Sequence, residues 1–141
     1  MTTLLTFHLI ALGIWIGVVG AEFFIEFDGM KDSESLKMAS KLHFATDIWV
    51  EIPSFTMVLI TGLLMLDESH FQGLFLYKVI FGLLAIFFNV VCVYAVFKRR
   101  GYALKNDMEG MASVDPIMKL GGLIIPCFII AFVISMIFVF R

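Results

Sequence analysis

Residues 3–27 read TLLTFHLIALGIWIGVVGAEFFIEF. This stretch is long enough to cross a bilayer, because a spanning helix needs about 20 mostly apolar residues. Three similar runs follow at about 43–66, 73–97 and 117–140, and none alternates as membrane β-barrel strands do. Only 16% of the 141 residues are charged, against roughly a quarter in soluble domains. We predict an all-α integral membrane protein, with residues 1–141 forming one antiparallel four-helix bundle.

The basic residues between these runs predict the orientation. Cytoplasmic loops of membrane proteins carry an excess of lysine and arginine. Of the lysines and arginines, only Lys78 and Arg141 lie toward one side of the membrane. The segments 28–42 and 98–119, on the other side, hold the rest: Lys31, Lys37, Lys41, Lys98, Arg99, Arg100, Lys105 and Lys119. We therefore predict cytoplasmic loops at 28–42 and 98–116, with both termini outside a bacterial inner membrane. The first run lacks a basic start and a cleavage site, so we expect it to be retained rather than removed as a signal peptide.

Five ionisable residues lie inside the first two runs. Each charge there costs at least about 2.5–3.5 kcal/mol. In the first run Glu22 and Glu26 are one turn apart; in the second, a spacing of four residues puts His43, Asp47 and Glu51 on one face. An antiparallel hairpin brings these two faces level with each other. We expect no lysine or arginine at that depth, so the carboxyls must be protonated, hydrated or balanced by a bound cation.

This inner group supports more than one interpretation. Carboxylates with one imidazole suit iron, zinc or manganese, so a divalent metal is predicted at Glu22, Glu26, His43, Asp47 and Glu51. The same side chains are typical of a proton path, which would make the protein a metal or proton transporter. They would also be compatible with a structural role, with some of them reaching toward the interface.

A second polar group is predicted at the opposite end of the bundle. His8 is about two turns inside the first helix, Lys78 is near the start of the third, and His70 is in the adjoining turn. An inward histidine can ligate haem b, which needs an axial nitrogen and a flat apolar slot. Such a slot could be lined by Gly13, Trp15, Gly17, Gly82 and Ala85. Taken singly, His8 could equally be a core histidine, His70 a turn histidine and Lys78 a lysine that snorkels to the interface.

Three short motifs carry a family resemblance. They are FHLIALGIWIG around His8, EIPSFTMVLITGLLML around Pro53, and LYKVIFGLL around Lys78. Their order and positions resemble the HemJ-type protoporphyrinogen oxidases, and the first helix is similar to that of the CopD-like small membrane proteins. The resemblance implies a bundle that binds haem b through His8, with Lys78 as the essential basic catalytic residue. The implied reaction is oxidation of protoporphyrinogen to protoporphyrin.

Three functions remain open from the sequence. The first is a redox-active haem b protein with His8 as one ligand and His70, Lys78 or His43 as the second. It would have a tetrapyrrole substrate or an electron-transfer partner. The second is a non-haem metal protein or a transporter. The third is a small subunit of a respiratory complex. The lipid bilayer is the expected environment, a homodimer is a further expectation, and no nucleic-acid partner is expected. Proline at 53 and at 126 predicts kinks in the second and fourth helices.

Overall fold

The computed structural model describes residues 2–139, and every regular element in that range is helical. Helix α1 is Thr2–Gly29, α2 is Ser33–Thr46, and α3 is Ile52–Leu64, with a π-helical turn at Asp47–Glu51 between the last two. A 3-10 turn at Glu68–Phe71 leads to α4, Gly73–Leu104. The chain continues through α5, Met108–Ser113, α6, Asp115–Lys119, a 3-10 turn at Leu120–Leu123 and α7, Ile124–Val139. The predicted all-α class is confirmed.

Four helical segments are long and apolar enough to cross a membrane: Thr3–Gly29, Ser33–Leu64, Gly73–Leu104 and Met108–Phe138. Each overlaps most of one of the four apolar runs predicted from the sequence, and the second helical segment ends at Leu64, two residues before the end of its run. Residue 140, where the fourth run was predicted to end, and Arg141 lie outside the described residues. The number of long helices follows directly from the hydropathy of the chain, because lipid offers no partners to an open backbone.

The segment 28–42, predicted as a loop with a short helical stretch, and the segment 98–116, predicted as a loop, are both mostly helical. Helix α2 begins at Ser33, because the Asp32 side chain accepts a 2.8 Å hydrogen bond from the Ser35 backbone nitrogen and caps the first turn. That bond also lowers the pKa of the Asp32 carboxyl. Helix α4 continues past the apolar run to Leu104. Hydropathy marks the part of a helix that suits lipid, whereas capping residues mark where the helix starts.

The prolines interrupt the helices in different ways. Before Pro53, the backbone nitrogen of Ile52 donates to the carbonyl of Asp47, five residues back, so the chain widens into a π-helical turn. Such turns are rare and are frequent at functional sites. Pro116 lies in the first turn of α6, which begins at Asp115. Pro126 lies in the first turn of α7, directly after a 3-10 turn.

The apolar core lies between the two polar ends of the helix bundle, the His8 end and the acidic end. Helix α1 packs against α2 and α3, and α4 packs against α7. Trp15 is only 2% exposed, and its indole nitrogen donates a 2.8 Å hydrogen bond to the Asn89 side-chain oxygen. Its ring lies 6.3 Å from that of Phe55, and Ala85 lets the backbone of α4 approach. This apolar layer separates the His8 end from the acidic end.

Candidate metal centre

Four of the five predicted metal ligands meet in one place. Glu22 comes from α1, His43 from α2, and Asp47 and Glu51 from the two ends of the π-helical turn. All four residues are buried, and one ligand atom from each lies within 4.8 Å of the others. The wider turn helps to bring Asp47 and Glu51, four residues apart, to the same side. We refer to Glu22, His43, Asp47 and Glu51 as the metal centre.

The imidazole of His43 is held with one nitrogen facing this centre. Its Nδ1 donates a 2.5 Å hydrogen bond to Oε1 of Glu26. Its Nε2 lies 3.5 Å from Oε2 of Glu22 and 3.7 Å from Oδ1 of Asp47. Histidines that ligate metals usually give their other nitrogen to a carboxylate in this way, which fixes the ring and the tautomer. Glu26 therefore orients His43 from outside the group of four.

The sequence-based expectation that no arginine lies at this depth is wrong. Arg99 of α4 is 1% exposed, and its Nη1 donates to Oε2 of Glu26 at 2.6 Å, while Nη2 pairs with Oε1 of the same carboxylate. The end of the apolar run near residue 97 predicts a loop position for Arg99. The spacing from Asn89 through Cys92 and Val96 to Arg99 follows one helix face. Continuing that face by one turn would have predicted its position.

The charges of the metal centre are unbalanced. Arg99 neutralises Glu26, which leaves the carboxyls of Glu22, Asp47 and Glu51 with His43 as the one basic side chain in their group. The Thr46 hydroxyl donates to Oε1 of Glu22 at 2.6 Å. Asp47 is fully buried, and neither of its carboxyl oxygens has a hydrogen-bond partner among the described residues. Burying a carboxylate without a hydrogen-bond partner is costly, so this carboxyl must be protonated, hydrated or bound to a cation.

A cavity of about 340 Å³ adjoins the metal centre. Its inner wall includes Glu22, His43 and Glu51, and its opposite wall comes from α6 and the start of α7. Gly121 lets the 3-10 turn before α7 approach α4, because a side chain at that position would meet the Cys92 sulfur at 2.7 Å. The cavity thus joins the buried ligands to the segment that carries Asp115 and Lys119.

No family model matches this chain, and comparisons with curated proteins and solved structures found no similar protein. The resemblance to the HemJ-type oxidases and the CopD-like proteins therefore stays a prediction that rests on the three sequence motifs.

The residues of the predicted outer site make two sets of side-chain contacts, and Lys78 is near enough to His8 to interact with it electrostatically. His8 is half-buried, with its Nδ1 2.9 Å from the Thr61 hydroxyl and its ring against Gly62. His70 and Lys78 both pack on Phe75, at 4.2 Å between ring centres and 4.5 Å from the ammonium to the ring centre. The Asp67 backbone nitrogen also donates to Nδ1 of His70 at 3.0 Å.

Two residues expected to line a haem slot are instead part of the core. Trp15 and Ala85 are 2% and 1% exposed, and Trp15 is hydrogen-bonded to Asn89. The glycines of the predicted slot are not packed in the core, since a side chain added at Gly13, Gly17 or Gly82 would meet no atom within 4 Å. These glycines leave open surface on α1 and α4.

Proposed function

We propose that this chain is an integral membrane metal-binding protein that holds one divalent ion, iron, manganese or zinc, between Glu22, His43, Asp47 and Glu51. The observation that carries the proposal is the Asp47 carboxyl, which is fully buried, without a partner among the described residues, and 3.7 Å from His43 Nε2. Three carboxylates and one imidazole form a ligand set that suits these ions better than Cu(I). A doubly charged ion would offset most of the negative charge.

The surrounding residues support a fixed metal site. Arg99 holds Glu26, and Glu26 holds His43, so the ligand nitrogen is positioned by a chain of charged hydrogen bonds. Outer partners of this kind typically change metal affinity by about 10–100-fold when they are removed. The metal would also draw Asp47 and Glu51 together, because both would share one positive ion.

The alternatives fit the geometry less well. A continuous proton path would have to pass the apolar layer formed by Trp15, Phe55 and Val58. A structural subunit of a respiratory complex would turn its polar groups toward partner helices. Here Glu22, Asp47 and Glu51 are buried within the single chain. We further propose that the four long helices run antiparallel, with the 98–119 segment at the cytoplasmic side of a bacterial inner membrane.

Elemental analysis of the purified protein tests this proposal. We expect about one iron, manganese or zinc ion per chain after loading with each ion and removal of excess. Glu51→Gln should lose this stoichiometric metal, because the variant keeps the shape of the side chain but loses its charge. Glu34→Gln is the matched control, since Glu34 is exposed on α2 and pairs only with Lys37 among its described contacts. Full metal content in Glu51→Gln would contradict the assignment.

Haem b at His8 is a second candidate, and one observation favours it. The Thr61 hydroxyl donates to the Met57 carbonyl at 2.6 Å, so its oxygen accepts from Nδ1–H of His8. The imidazole is then the tautomer with its lone pair on Nε2, and this tautomer can ligate haem iron. The assignment of His70 and Lys78 to the cofactor, and of Lys78 to catalysis, depends on this second candidate.

An absorption spectrum tests the haem candidate separately from the metal centre. If His8 ligates haem, the purified protein shows a Soret band, and His8→Ala removes it. His43→Gln should keep the band and lose the non-haem metal, because His43 and His8 lie on opposite sides of the apolar core. A Soret band that survives His8→Ala would exclude His8 as the ligand.

A further inference from the structure

The cavity beside the metal centre has an opening between α1 and the start of α7. Phe23 of α1 and Ile125 of α7 both line it, and they are 63% and 37% exposed. The close helix contacts pair α1 with α2 and α3, and α4 with α7, whereas α1 and α7 make few contacts among the described residues. In a membrane this gap would face the lipid. A molecule dissolved in the bilayer could therefore reach the cavity sideways.

The size and walls of the cavity restrict what fits. Its volume of about 340 Å³ is at the lower end of the roughly 300–1,000 Å³ seen for ligand pockets. Such a volume suits one ring-sized head group with a tail leaving through the opening. Most of the walls are apolar and include Phe23, Met30 and Met118. Methionine sulfur and aromatic rings both make favourable contacts with a flat ring.

The polar floor of the cavity restricts the charge of the head group. Glu22 and Glu51 line this floor, and one divalent ion would offset most but not all of the charge of the three carboxyls, so an anionic head such as a fatty acid carboxylate would be disfavoured. Arg99 also lines the cavity, and its two terminal nitrogens are taken by Glu26. Its Nε–H is buried and has no acceptor among the described residues. This nitrogen is not exposed to the cavity in the present conformation, so a neutral head group with a carbonyl oxygen would supply that acceptor once the Arg99 side chain shifts toward the cavity.

We propose that this cavity binds the head group of an isoprenoid quinone. One ring carbonyl accepts a hydrogen bond from Nε of Arg99, the ring lies between Phe23 and Met118, and the tail leaves between α1 and α7. The inference deepens the proposed function, because it places a redox-active lipid beside the metal centre. Its evidence, however, is the cavity and Arg99 rather than the metal ligands alone.

Photolabelling with a short-tailed azido-quinone tests the proposal on the full-length chain in lipid nanodiscs. We expect labelled peptides from the region of Phe23 and from residues 115–125. Gly122→Leu should weaken binding by about tenfold or more, because a side chain there meets no atom within 4 Å and extends into the cavity. Ile125→Trp provides a second obstruction. Gly17→Leu is the matched control, since Gly17 is equally open but does not line the cavity.

Each outcome separates the two proposals. Unchanged binding in both Gly122→Leu and Ile125→Trp, labels confined to other helices, or equal competition by a fatty acid anion would overturn the quinone assignment. Metal content measured on the same Gly122→Leu sample should stay at the wild-type value. A wild-type protein that binds the quinone but never binds metal would contradict the metal proposal and leave the quinone site in place.

Discussion

Replacing Asp47 with asparagine is expected to abolish stoichiometric metal binding while making the metal-free protein more stable. Asparagine has nearly the shape of aspartate, so the packing around this buried position is kept. The variant removes one of three carboxyls whose ligand atoms lie within 4.8 Å of one another. Repulsion among these like charges therefore falls. The loss of affinity should exceed the roughly 10–100-fold effect of removing an outer-shell partner, because a direct ligand is lost.

Thermal unfolding with and without added metal measures both effects at once. Wild-type protein should gain a higher midpoint when the ion is added, since an ion that binds only the folded state stabilises it. Asp47→Asn should begin from a higher midpoint and gain nothing. Asp28→Asn is the matched control, because Asp28 is exposed and pairs with Lys31 at the end of α1. A metal-dependent gain that persists in Asp47→Asn would refute its role as a ligand.

Replacing Arg99 with methionine is expected to destabilise the protein by about 3–5 kcal/mol, the range found when one partner of a buried ion pair is removed. Arg99 is 1% exposed and makes two hydrogen bonds to Glu26. Without it, Glu26 would remain as an uncompensated carboxylate beside three others. His43 would lose the fixed orientation of its ring, so metal affinity should fall as well.

Reversible unfolding in mixed detergent micelles can measure this loss. Arg100→Met is the matched control, because Arg100 is the next residue on α4 and is half-buried rather than fully buried. Adding Glu26→Gln to Arg99→Met should recover much of the lost stability, since glutamine removes the unpaired charge and still accepts a hydrogen bond from His43 Nδ1. If the double variant were as unstable as Arg99→Met, the ion pair would not be the source of the effect.

The sequence was a good guide to the helices and to one face of the site. Four apolar runs predicted the long helices, because a chain in lipid must satisfy its backbone internally. The spacing of His43, Asp47 and Glu51 predicted a common face, since side chains four residues apart lie on adjacent turns. Glu22 was correctly expected opposite that face. These features depend only on helix periodicity and on the order of residues along the chain.

Which charges pair and which remain without a partner was decided only by the tertiary structure. Whether Arg99 reaches Glu26 depends on how far α4 continues and on its rotation against α1. Hydropathy determines neither the length of α4 nor its rotation, and from hydropathy alone Arg99 is predicted in a loop. The π-helical turn that carries Asp47 and Glu51, and the opening between α1 and α7, likewise depend on how whole helices pack. Periodicity fixes the direction of a side chain around its own helix, whereas its partner is fixed by the relative depth and rotation of two helices.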